Sequence, residues 1–203
     1  MTEQVYTMFH GTHHPESPFN YEYLGRGNQQ NGPGWYFTSE ETDAWSYAFP
    51  EGFILECALY FRKMVTSTAK PRRLELMEMI HGAPSWKEGL WADFGEDPVT
   101  AMRNCLRYYM AEENQHEAFL SLWGSHYMYD PQEYCRNMVK LGYDGVYVEW
   151  GYHSKDQRPK NEEPFHIISF DNKKIEIVAK LDKTAFQKRE NEKTLARVRA
   201  RRK

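Results

Sequence analysis

Three short stretches, far apart in the chain, hold the side chains best suited to chemistry. They are Phe9-His10-Gly11-Thr12, then Gly34-Trp35-Tyr36-Phe37-Thr38 with Tyr47 eleven residues past Tyr36, and last His166-Ile167-Ile168-Ser169-Phe170-Asp171. A histidine at a strand end can hydrogen-bond a ligand hydroxyl. A glycine directly after it leaves its backbone N–H and C=O open to a carboxamide. A purely structural His-Gly pair reads the same way. Tyr36 and Tyr47 bracket a strand-to-helix turn that can fold two rings face to face, a slot for a flat heteroaromatic ring, and their spacing suits core filling equally. The loop Gly25-Arg26-Gly27-Asn28-Gln29-Gln30-Asn31-Gly32-Pro33-Gly34 offers backbone N–H groups and Arg26 to a phosphate, without a dinucleotide or P-loop fingerprint. The remaining histidines have no metal-ligand spacing, and no Ser/His/Asp or Cys/His constellation stands out.

Local patterning supplies the elements that must position these groups. Val5 to Phe9 reads as a strand ending at His10, and the glycines and prolines from His13 to Gly34 read as loop. Trp35 to Thr38 is a second strand. Ser39 then stands where a helix cap belongs, with Glu40, Glu41 and Asp43 near the positive end of a helix running to about Phe49. Phe53, Leu55, Cys57, Leu59 and Phe61 alternate along a third strand. From about 70 to 142 the apolar spacing is helical: Leu74, Met77 and Ile80; Val99, Met102, Leu106 and Met110; Ala118 and Leu122; then Tyr134, Met138 and Leu141 after Pro131. This is expected to be a helical insertion packed on a sheet. Strands return at Tyr143 to Trp150, Phe165 to Phe170 and Ile175 to Ala179, the last two read as a hairpin. The expected fold class is α+β, with one domain over residues 1–179 and a basic tail over 180–203, helical or disordered.

The chain has 203 residues, a hydrophobic content of 40% and an aromatic content of 15%, enough for one substantial core. Three well-separated cysteines (Cys57, Cys105, Cys135) argue against a disulfide scaffold and a zinc site, and point to a reducing compartment. With no signal-peptide layout at Met1 to Thr7 and no apolar run of membrane-spanning length, the expected location is the cytoplasm. The net charge of −3 is unevenly spread: residues 180–203 hold ten Lys or Arg against three Asp or Glu, leaving 16 basic and 26 acidic side chains elsewhere. Such a tail can contact nucleic acid or another acidic partner, or it can be a solvated end. The acidic body does not suit a general nucleic-acid binder.

Phe-His-Gly-Thr, a glycine-rich stretch, Gly-x-Tyr-Phe-Thr and then Ala44-x-x-Tyr47-Ala48 together resemble the ADP-ribosyltransferase superfamily. The pattern is similar in particular to the diphtheria-toxin and poly(ADP-ribose) polymerase branch, with its His, Tyr and Glu on successive core strands. Leu141-Gly142-Tyr143-Asp144-Gly145-Val146 resembles a stretch of the compact phage and polyvalent-protein members. The resemblance covers roughly residues 5–62 and 141–179. It implies a split β-sheet core and NAD as substrate. It also implies His10 holding a ribose, Gly11 clamping the carboxamide, and Tyr36 and Tyr47 stacking the nicotinamide. Thr12, Arg26, Gly34, Trp35 and Phe37 would complete the binding surface. The reaction implied is loss of nicotinamide through an oxocarbenium-like state and transfer of ADP-ribose to a macromolecular acceptor, protein or nucleic acid. A phage- or toxin-type enzyme of this kind would act in the host cytoplasm. Family members carry Glu five residues before the Asp that aligns with Asp171, and here that position is His166. A neutral imidazole can still bond the ribose 2′-hydroxyl but supplies no negative charge, which leaves Glu149, Glu162 or Glu163 to compensate. Members without this Glu transfer single units or are silent, so the expectation is a mono-ADP-ribosyltransferase. The alternatives are a silent NAD- or ADP-ribose-binding module, an NAD-dependent RNA 2′-phosphotransferase, and a phage structural or host-takeover protein binding nucleic acid through 180–203.

Overall fold

The computed structural model describes residues 2–24, 31–149 and 165–200. Its strands are β1 (Gln4–Thr12), β2 (Trp35–Thr38), β3 (Phe53–Phe61), β4 (Met64–Val65), β5 (Gly145–Glu149), β6 (Phe165–Ser169) and β7 (Ile175–Leu181). Its helices are α1 (Glu41–Ala48), α2 (Arg73–Gly82), α3 (Pro84–Lys87), α4 (Pro98–Met110), α5 (Gln115–His126), α6 (Pro131–Lys140) and α7 (Lys183–Ala200). The strands form one mixed seven-stranded sheet in the order β4-β5-β6-β2-β1-β3-β7, an α+β arrangement. All pairings are antiparallel except β4 with β5.

The expected hairpin between Phe165–Phe170 and Ile175–Ala179 does not form. β6 pairs with β2 and β5 in the middle of the sheet, while β7 lies at the far edge on β3. The burial patterns explain why. His166 to Ser169 are all buried, so β6 needs cover on both faces and partners on both sides, whereas β7 is mostly open and suits an edge.

Helices α2 to α6 cover one part of the sheet and share its main core, in which Leu76, Tyr109, Phe119, Leu122, Met138, Ile168 and Phe170 are buried. Two expected faces are rotated. In α2 the buried residues are Leu76, Met79 and Ile80, and Leu74 is exposed; in α4 they are Ala101, Cys105, Leu106 and Tyr109, and Val99 and Met110 are exposed. Both helices pack chiefly against neighbouring helices, which sets the buried faces and leaves these three large apolar side chains outside. The ends of this helical stretch are tied together by Asp144. Its carboxylate accepts from the backbone N–H of Arg62 at 2.6 Å and of Lys63 at 3.1 Å.

A second, smaller core lies where α1 and α7 meet the other end of the sheet. Ala44, Ile54, Leu181 and Phe186 are buried there, and the Phe186 ring stacks on Trp45 with centroids 5.1 Å apart. Ser39 is not the cap of α1; Glu40 occupies that position without a side-chain cap bond. Ser39 instead binds the edge of β6, its Oγ accepting from Phe165 N–H at 3.0 Å and its own N–H donating to the Phe165 carbonyl at 3.0 Å. This pins the start of α1 against β6.

Candidate functional site

β1 and β3 pair along nine residues, but β1 and β2 meet at one register pair, Phe9 opposite Thr38. The sheet is therefore close to two half-sheets that part at β1 and β2. His10 bridges the parting: its Nδ1 lies 2.8 Å from the Tyr36 carbonyl oxygen. A carbonyl only accepts, so Nδ1 carries the hydrogen. Burial lowers the His10 pKa, outweighing the opposite effect of that hydrogen bond, and the imidazole stays neutral. Nε2 is then the ring's acceptor, suited to a ligand hydroxyl. The ring sits against Phe19 and Phe37, with centroids at 5.2 and 5.5 Å.

Gly11 follows on β1 with α1 lying across it. A Cβ at this position would overlap the Ala44 carbonyl and come 3.0 Å from the Tyr47 Cβ, so only glycine lets strand and helix approach this closely. Gly11 and Tyr47 thus meet on the α1 face of the sheet, while the His10 ring lies on the opposite face beside Phe37 and reaches the Tyr36 backbone at the parting. The two tyrosines differ in character. Tyr36 is largely buried and its hydroxyl donates to the Gly32 carbonyl at 2.7 Å, while accepting from Asn31 N–H at 3.2 Å. Burial drives its pKa up, with a further push from nearby Tyr47. Tyr47 is 60% exposed. The rings do not stack on each other, so one side of the expected slot is fixed in the fold and the other is open.

The remaining expected ligand contacts are spread more widely. Trp35 and Phe37 are core residues, 5% and 2% exposed. Gly34, at φ +150°, allows β2 to approach Ser169, whose carbonyl oxygen an added Cβ would meet at 2.7 Å. Thr12 ends β1, where its Oγ1 accepts from His14 N–H at 3.0 Å. Arg26, Glu162 and Glu163 lie outside the described residues, and for Glu149 only the backbone, opposite Phe165, is described. A shallow concavity lined by segments 50–53 and 182–184 includes none of the candidate residues.

His166 is placed by β6 opposite Thr38 of β2 and is 6% exposed. Its Nε2 donates to Asp43 Oδ2 at 2.8 Å. Asp43, in the first turn of α1, also takes a hydrogen bond from the Thr38 side chain. Burial pushes the Asp43 carboxyl up, but the bonds from His166 and Thr38 and the attraction of the imidazole outweigh it, so its pKa ends below the ordinary value. Each hydrogen bond to a charged group contributes about 1.5–3 kcal/mol and a helix N-terminus about 0.3–1 kcal/mol, enough to keep a half-buried carboxylate ionised. Sequence reasoning treated Asp43 only as a helix-start charge. The available signal was its position one turn before Tyr47, which puts both on one side of α1; Asp43 in turn raises the Tyr47 pKa, after burial.

The cysteines stay out of this chemistry. All three are buried, and burial pushes Cys105 up to about 11 and Cys57 up to about 12. No match is found among protein-family models, curated proteins or solved structures.

Proposed function

We propose that the protein is a mono-ADP-ribosyltransferase, cleaving NAD at the nicotinamide–ribose bond and passing ADP-ribose to a macromolecular acceptor. The observation supporting this reading is that β1 at its parting from β2 carries His10, bonded to the Tyr36 carbonyl on one face, and Gly11, packed against Tyr47 on the other, with an ionised carboxylate one turn from Tyr47. Each group has a task in such a pocket. His10 Nε2 accepts from a ribose hydroxyl, the Gly11 backbone pairs with the carboxamide, and the Tyr47 ring covers the pyridinium. As the glycosidic bond lengthens, positive charge grows on the ribose and negative charge nearby lowers the barrier, as carboxylates do in glycoside hydrolysis.

Incubation with NAD carrying separate labels on nicotinamide and adenine tests this. The expected outcome is free nicotinamide together with adenine label on an acceptor from a cell extract. Tyr47→Ala changes an exposed ring and should spare the fold, and it is expected to lower release at least tenfold, since base–aromatic stacking contributes about 1–3 kcal/mol. His10→Ala is expected to lower release about 100-fold. Full release by both variants would place the reaction elsewhere, and NAD binding without release would instead fit a silent binding module.

A further inference from the structure

We infer that Asp43 is the catalytic carboxylate of this pocket, that His166 is its positioning residue, and that the acceptor is a neutral or cationic group with a proton to lose. The inference rests on the proposed NAD reaction and assigns the negative charge that His166 itself does not bring. The pair is asymmetric in a telling way. The His166 side chain is 8% exposed and that of Asp43 26%, so the imidazole is the hidden member and the anion is the one open to a ligand. Three separate elements hold the carboxylate there: β6 through His166, β2 through Thr38, and the first turn of α1. Asp43 and Tyr47 share one side of α1, so a ring resting on Tyr47 brings its attached sugar towards Asp43.

The step follows from this placement. The acceptor X–H attacks the ribose C1′, and the C1′–N bond breaks with its electron pair going to the pyridine nitrogen, releasing neutral nicotinamide. The proton of X–H passes to the Asp43 carboxylate and then to solvent. An anion at this position attracts a hydroxyl or guanidinium acceptor, which must lose a proton, and repels a carboxylate acceptor, which has none to give.

Three variants test it, with NAD binding and thermal melting measured alongside turnover. Asp43→Asn is expected to lower kcat about 1000-fold while the NAD Kd stays within about threefold, and Asp43→Glu is expected to restore part of kcat. His166→Gln keeps a donor in place but removes the imidazole. The groups bearing on Asp43 from the packed elements are His166, the Thr38 hydroxyl and Tyr47. Loss of His166 therefore raises the Asp43 pKa, and the acid limb of the kcat profile moves to higher pH, a change that a merely structural contact would not produce. Small hydroxyl and guanidine acceptors should take label and carboxylates should not. Normal kcat in Asp43→Asn, an unmoved acid limb in His166→Gln, or efficient labelling of carboxylates overturns the inference while leaving the NAD reading in place. A wild-type protein that releases no nicotinamide overturns both.

Discussion

At Gly11, adding one methyl group would drive it into the Ala44 carbonyl, so α1 would have to shift away from β1. Gly11→Ala is accordingly expected to lower stability by about 1–3 kcal/mol, the usual cost of overpacking, and to lower turnover further by displacing Tyr47 and Asp43 together. Thermal melting and nicotinamide release on the same sample check both parts; an unchanged melt would mean that α1 does not rest on Gly11. Two local contacts at this scale were legible in sequence, His10 with the Tyr36 backbone and Gly11 with Tyr47. His10-Gly11 near the end of β1 and the tyrosine spacing across a strand-to-helix turn depend on local geometry. The tie between Asp43 and His166 was not legible, because the two lie 123 residues apart, on α1 and β6. In sequence Asp43 is one of several acids at a helix start. Only the register of β6 on β2, with Thr38 opposite His166, makes it the anchor of a buried imidazole.

Among the elements, α7 has the least expected role. The charge run suits either an arm for an acidic partner or a solvated end, and the N-terminal part of the helix is tied to α1. Arg189 bonds Glu41 and, at 2.9 Å, Glu56, while Lys193 bonds Glu41 at 2.6 Å. Glu41 is buried in the first turn of α1. Burial raises its pKa, but the bonds from Lys193 and Arg189 outweigh that and leave it below the ordinary value. The sign follows: this stabilisation is fully present above the ordinary glutamate range and is lost as pH falls through the lower folded-state value. Glu41→Gln should therefore lower the melting temperature at neutral pH, and the gap from wild type should close as pH falls below 4. A gap that persists in acid would mean that the pair is not what Glu41 contributes. Phe186→Ala removes the ring stacked on Trp45 and should cost about 3 kcal/mol, read by denaturant unfolding. From Asn191 to Ala200 every residue of α7 is exposed, with Lys193 still reaching back to Glu41. Of the apolar residues of this helix, Phe186 is buried whereas Leu195 and Val198 are exposed. The hairpin expectation failed for a related reason: Ile167-Ile168 are buried on both faces, the mark of a central strand, while Glu176 and Val178 of β7 face solvent.

For the whole molecule, the sheet nearly parts where β1 meets β2, with α1 closing one side and the helical stretch α2 to α6 packed on the β2 half. Among the described residues no helix is long and apolar enough to cross a membrane. The class α+β and the helical character of residues 70–142 were legible because periodicity and breakers are local. The strand order was not, since register between distant strands is set by which faces end up buried. The same topology explains why the expected contacts divide: Trp35, Phe37 and the His10 ring lie on one face of the sheet, whereas Gly11, Asp43 and Tyr47 lie on the face that α1 covers.

The pocket can be probed without turnover by using carba-NAD, in which a methylene replaces the ribose ring oxygen and the glycosidic bond is inert. Titrated into isotope-labelled protein, it should shift the backbone amide signals of His10, Gly11, Asp43 and Tyr47 as one saturating group and move the His166 ring signals with them. Shifts confined to α7 or to the region around 50–53, with those residues silent at saturation, would contradict a dinucleotide site at the parting of the sheet.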